Sequence, residues 1–134
     1  MEVITTHIQA DFDATASMLA AKLLHPDAIL VFSGSQEKGV RDYLMTAPKS
    51  VVADIVKLKT VDLEAVDRLV IVDTRQVSRI GAFAEIIGRD NLEIVIYDHH
   101  PPSPDDIKGH QEICRELGSN VALMVEVLSS RGVV

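Results

Sequence analysis

Apolar residues along this chain follow two rhythms. In the first, short β-branched runs are apolar almost throughout: "EVITT", "AILVF", "SVVAD", "RLVIVD" and "LEIVIYD". Runs without polar alternation predict strands covered on both faces. In the second, apolar positions recur at helical spacing. Ala16, Leu19, Ala20, Leu23 and Leu24 make one buried stripe, so a helix is predicted over Asp13–Leu24, stopped by Pro26. Further helices are predicted over Gln36–Met45, over Val77–Ile87 with Gly88 as its C-terminal stop, and from Ser119 to about Ser130 before Gly132. Asp62–Val66 has room for no more than a short helical turn. Strands alternating with helices predict an α/β fold: a doubly wound, mostly parallel sheet of about five strands with helices on both faces.

The apolar runs end in unusual company. "VITT" gives way to His7, Asp11 and Asp13, "LVIV" to Asp73, and "IVIY" to Asp98, His99 and His100. In sheets of this class the working site lies beyond the carboxyl ends of the strands. Four aspartates and three of the five histidines are therefore expected at one sheet edge, delivered by three separate segments. Carboxylates crowded together raise each other's pKa unless cations sit between them. Mixed aspartate and histidine ligands suit Mn²⁺, Fe²⁺, Co²⁺ or Zn²⁺, whereas all-oxygen shells suit Mg²⁺ or Ca²⁺. Two divalent ions sharing a carboxylate would activate water and clamp a phosphate, which makes phosphoester or phosphoanhydride hydrolysis the expected reaction class. Each motif alone has a plainer reading. Asp11 and Asp13 could cap the first helix, Asp73 could cap the element after its strand, and His99 and His100 could be ordinary loop histidines. Asp54 reads as a turn residue, His25 as a complement to the helix dipole at its C-terminal end, and His110 and Cys114 as structural.

Composition narrows the setting. With 134 residues there is one domain's worth of chain, and no apolar run approaches the ~20 residues needed to cross a bilayer. The N-terminus turns acidic where a signal peptide would be apolar, and the single cysteine, Cys114, cannot form an internal disulfide. A cytoplasmic location is expected, with no membrane partner. A net charge of −7 argues against broad phosphate-backbone binding and fits a chain that gathers cations.

These residues resemble the DHH phosphoesterase superfamily, named for the triplet present here as Asp98-His99-His100. That superfamily includes single-strand exonucleases, small-oligonucleotide and cyclic-dinucleotide phosphodiesterases, and manganese-dependent inorganic pyrophosphatases. Its first motif matches "HIQADFDATAS" (His7 to Ser17), its second "VDTR" (Val72 to Arg75) and its third "DHHPP", followed by a glycine-led helix at "GSNVALMVEVL". The resemblance implies two Mn²⁺ ions, with Mg²⁺, Co²⁺ or Zn²⁺ as substitutes. His7 and Asp11 would hold one ion, Asp13 and His99 the other, and Asp73 would bridge them. Asp98 would orient its neighbouring histidine, and His100 would reach the substrate phosphate or a metal. Arg75 would contact phosphate.

The resemblance also implies a fourth motif, a further metal-binding aspartate beyond the glycine-led helix. Only Asp105 and Asp106 follow His100, both too early, so residues 1–134 read as an N-terminal DHH domain cut before that motif. A basic substrate-binding domain is expected to follow in the parent protein. Domains of this look also stand at the front of proteins joined to CBS modules and an RNA nucleotidyltransferase of the poly(A) polymerase or tRNA terminal-adding type. The expected partner is a phosphorylated small molecule or a short single-stranded nucleic acid. Three functions stay open: a phosphodiesterase domain acting on nucleotides or oligonucleotides, a metal- and nucleotide-binding regulatory module of an RNA-processing nucleotidyltransferase, and a manganese-dependent inorganic pyrophosphatase.

Overall fold

The computed structural model describes residues 1–133. Five parallel strands form one sheet: β1 (Glu2–Thr5), β2 (Ile29–Leu30), β3 (Arg68–Val72), β4 (Glu93–Asp98) and β5 (Gln111–Cys114), in the spatial order β2-β1-β3-β4-β5. Four α-helices accompany them: α1 (Phe12–Leu24), α2 (Lys38–Thr46), the single turn α3 (Lys49–Val52) and α4 (Asn120–Ser130).

The uniformly apolar strands are explained by their two covers. Along β3 and β4 alternate side chains point to opposite faces. Val70, Val72, Val95 and Tyr97 pack with Met18 and Ala21 of α1 and with Leu123, Met124 and Val127 of α4. Leu69, Ile71, Ile94 and Ile96 pack on the other face with Val66, Ile80, Phe83 and Ile86. Ile71 and Ile96 are wholly buried, and full burial of such a side chain contributes about 1.5–3 kcal/mol. Both faces are thus covered as expected, but the second is covered by 3₁₀ turns at Val77–Arg79 and Gly81–Ile86 where the sequence predicted one helix over Val77–Ile87. Gly81 breaks that helix. Its φ is +54°, and a Cβ there would run into the carbonyl oxygen of Ser33.

Two further expectations give way. "SVVAD" becomes the end of α3 and its turn, not a strand, because Val51 and Val52 reach only partial burial. The pairing shifts downstream instead: Leu30 receives Val56 N–H and gives its own N–H to Asp54. β5 carries no apolar run to betray it, since Gln111 and Glu112 lie exposed on the sheet edge. Its register runs to Cys114 opposite Asp98, which ties down the end of β4. No helix of the described residues is long and apolar enough to cross a membrane.

Candidate metal centre

The strand order reverses between β1 and β3, since β1 connects onward to β2 on one side and β3 lies on the other. Parallel sheets of this order open a crevice at that point. Thr5 and Thr6 donate their hydroxyls sideways to Val31 and Val72 carbonyls, at 2.6 and 2.8 Å, and Ser33 donates to the carbonyl of Thr6 at 2.6 Å. The exit of β1 is therefore bolted to both neighbouring segments just before His7.

His7 is buried, and its Nδ1 lies 2.8 Å from the carbonyl oxygen of Ile8. A carbonyl can only accept, so Nδ1 carries the proton and Nε2 is left facing Asp73 Oδ2 at 3.2 Å. His99 repeats the arrangement from β4. Its Nδ1 donates to the carbonyl of Leu117 at 3.0 Å, and its Nε2 faces Asp73 Oδ1 at 3.0 Å. Burial works against protonating either ring, yet for His7 the hydrogen bond to Asp73, and for His99 the Leu117 carbonyl with the Asp73 charge, outweigh it and hold both above the usual value.

Asp73 stands between the two imidazoles. It follows β3 with φ +66°, a left-handed conformation uncommon for a residue with a side chain, and its N–H donates to the carbonyl of Tyr97 at 2.9 Å. Strain of this kind persists where the surroundings over-determine it, and often at functional sites. Oδ1 is buried and, although close to His99, has no hydrogen-bond partner among the described residues. Two imidazole lone pairs aimed at one buried carboxylate need a cation in each gap. The donor set fits divalent ions on that ground.

Asp11 performs the plainer role as well, whereas Asp13 caps a different helix from the first. Asp11 caps α1, its Oδ1 accepting from Ala14 N–H at 2.8 Å. Asp13 caps α4 from across the molecule, accepting from Asn120 N–H at 3.0 Å and Val121 N–H at 2.8 Å, while Oδ2 stays 3.8 Å from His99 Nε2. Potential ligand atoms gather within 4.8 Å of one another in two groups, His7 with Asp11 and Asp73, and Asp73 with His99 and His100. The groups share Asp73. His100 takes the place in the second group that the family resemblance assigned to Asp13.

Asp98, wholly buried, accepts from His100 Nδ1 at 2.7 Å and from Arg75 Nε at 3.0 Å. Arg75 is itself buried and also donates to the carbonyl of His100 at 2.7 Å. The structure thus spends Arg75 on holding the Asp98–His100 pair. The remaining plain readings are sharpened: His25 follows α1 but bonds to Glu2 and the Tyr97 hydroxyl, and His110 Nδ1 accepts from Ile94 N–H inside the sheet.

Sequence reasoning missed Arg79. Its Nη2 lies 3.2 Å from His7 Nδ1, and its carbonyl accepts from Ile8 N–H at 2.7 Å. A basic residue six positions after Asp73 was the available signal. The carbonyls of Ile8 and Leu117 were missed too, and no signal exists for those.

The family model of the DHH family, N-terminal domain, matches residues 2–132. An A-adding tRNA nucleotidyltransferase from Geobacter sulfurreducens is 44% identical over 133 residues, covering 99% of this chain and 15% of that protein. The chain therefore spans about a seventh of that relative's length. An exopolyphosphatase-related protein from Bacteroides fragilis superposes with a TM-score of 0.75 at 20% identity, over 98% of this chain and 40% of that one, a likeness of fold.

Proposed function

Given that the chain belongs to the DHH family through its N-terminal domain, we propose that it is a two-metal phosphoesterase domain acting on phosphodiesters of nucleotides or short oligonucleotides. The observation that carries this reading is the paired aim of His7 and His99: each Nδ1 is tied to a backbone carbonyl and each Nε2 is turned on the same buried carboxylate. Imidazoles held in one tautomer by the distal nitrogen are characteristic of metal ligands. His7, Asp11 and Asp73 would hold one ion, and Asp73, His99 and His100 the other, with Asp13 beside it. Two imidazoles favour Mn²⁺ or a later transition metal over Mg²⁺.

Divalent cations in such a setting supply Lewis acidity, lowering the pKa of water and offsetting charge on a phosphate. The chain's own residues supply the rest. Asp73 counters positive charge from both sides. His100, its Nδ1 anchored on Asp98, offers Nε2 either as a ligand or as the proton donor to the departing oxygen. Arg75 Nε bonds to the other oxygen of Asp98 and holds it in place, so the imidazole does not turn.

The tRNA nucleotidyltransferase relative supports a second reading, in which the same centre binds metal and nucleotide as a regulatory module beside an RNA-end-adding activity. Metal titration followed by turnover separates the two. Calorimetry is expected to give two Mn²⁺ per chain, with weaker Mg²⁺ binding. Asp73→Ala should lose both sites and His7→Ala one, so the first variant loses at least about tenfold more affinity, the scale of disturbed metal shells. One Mn²⁺ per chain, or equal losses in the two variants, would count against a shared carboxylate. Full metal binding with no diester hydrolysis in any longer form of the protein would favour the regulatory reading.

A further inference from the structure

Beside the metal centre, beyond the carboxyl ends of β3 and β4, lies a cavity of about 260 Å³ lined by Arg75, Arg79, Asp98, His100, Ser103 and Asp106. It is smaller than the about 300–1,000 Å³ typical of pockets that enclose whole drug-sized ligands, and so suits a compact group.

Its charges are unevenly committed. Asp98 has both oxygens engaged, by His100 Nδ1 and Arg75 Nε. Asp106 Oδ2 accepts from Ser103 N–H at 2.7 Å and stands 3.6 Å from Arg75 Nε. Arg75 is thereby neutralised and locked. Arg79 is not: among the described residues no carboxylate lies within 4 Å of its guanidinium. Its one side-chain neighbour within hydrogen-bond distance, His7 Nδ1, already donates to Ile8 and cannot accept. The backbone of Arg79 is pinned by Ile8 N–H, so an anchored residue presents five N–H donors with nothing to receive them, in a chain of net charge −7.

We propose that this cavity is a phosphate subsite and that Arg79 is its cationic contact, taking a substrate phosphate adjacent to the one at the metal centre. The guanidinium fork matches two phosphate oxygens at once, and such charge-assisted pairs are about twice as strong as neutral hydrogen bonds. Engaging it needs only a turn of the exposed side chain away from His7. The loop from His100 to Asp106, stiffened by three prolines and by the Asp106–Ser103 bond, contributes to the lining. A substrate with consecutive phosphates, an oligonucleotide rather than an isolated diester, would fill both places. That last step rests on the two-metal reading, whereas the subsite itself does not.

The test is a titration of inorganic phosphate into the ¹⁵N-labelled chain by NMR, first in chelator and then with Mg²⁺, beside Mn²⁺ calorimetry of the same variants. Phosphate is expected to shift the amides of Gln76 and Ser103 in both conditions. Arg79→Gln should weaken that binding by about tenfold, the loss expected for one charge-assisted hydrogen bond. Arg79→Lys should recover part of it, and both should leave Mn²⁺ affinity unchanged. Unaltered phosphate affinity in Arg79→Gln would overturn the proposal, as would shifts confined to other parts of the chain. A parallel loss of Mn²⁺ and phosphate binding would also overturn it, because Arg79 would then be serving only to hold His7. Absence of Mn²⁺ binding in the unaltered chain would remove the two-metal reading, and the metal-free phosphate shifts would still decide the subsite.

Discussion

His7 and His99 show how one side chain can answer to two demands. Each must be neutral at Nε2 to take a metal, yet the buried Asp73 beside it favours a proton there. In the metal-free chain the proton stands in for the cation. Both groups titrate above the ordinary 6.5, so the stability their protonation contributes is fully present below about pH 6.5 and is lost as pH rises through their raised values. His25 has the opposite sign, because burial lowers its value; it stabilises above the ordinary range and is lost as pH falls. Thermal unfolding of His7→Gln against the unaltered chain, in chelator from about pH 5.5 to 8.5, isolates the first effect, since His25 is common to both. The deficit of the variant is expected to shrink as pH rises. A deficit that grows with pH would contradict the placement of His7 against Asp73. At this scale the ligand types were legible in the sequence, as Asp and His after apolar runs. Their tautomers were not, because Ile8 and Leu117 act through carbonyls that every residue possesses.

The elements that carry these side chains are tuned by contacts beyond their own span. α4 begins with Ser119 accepting from Ala122 N–H, while Asp13 satisfies the N–H groups of Asn120 and Val121 from α1. A negative charge at a helix N-terminus is favourable, and here it joins two elements far apart in sequence. The 3₁₀ cover between β3 and β4 depends on Gly81 in the same way. Gly88→Ala, at φ +92° with open space around it, is expected to cost only the backbone term of about 1–2 kcal/mol. Gly81→Ala adds a collision with Ser33 and should cost about 3 kcal/mol or more. Urea unfolding of the two variants measures the difference. Equal costs would mean that the turn can move away from Ser33, which holds the exit of β1 beneath His7. Apolar periodicity suggested a helix over Val77–Ile87; the close approach of Gly81 to a segment nearly fifty residues earlier is what forbids it.

For the whole molecule, the sheet order decides where chemistry is possible. With β1 and β3 adjacent, His7, Asp11 and Asp73 meet at the reversal, and β4 brings His99 and His100 to the other side of Asp73. Asp73 is common to both sets of ligand atoms, so the proposed hydrolysis depends on it more than on a residue of either set alone. Mn²⁺-dependent hydrolysis of bis-p-nitrophenyl phosphate is therefore expected to fall at least about tenfold further in Asp73→Ala than in His7→Ala. Equal falls in the two variants would contradict a centre built around one shared carboxylate.

The amino-acid sequence by itself determined the class of fold, the parallel sheet and the set of residues gathered at its carboxyl edge. Those follow from local facts: apolar runs long enough to be covered twice, helical spacing between them, and chemically distinct side chains where the runs end. Only the tertiary structure decided that Asp73 adopts a left-handed backbone, that Asp13 caps α4, that Arg75 is consumed by Asp98 while Arg79 meets no carboxylate among the described residues, and that β5 exists at all. Those outcomes depend on which groups arrive from distant segments, and many of them are backbone carbonyls and N–H groups, which leave no mark in the sequence because every residue carries nearly the same ones.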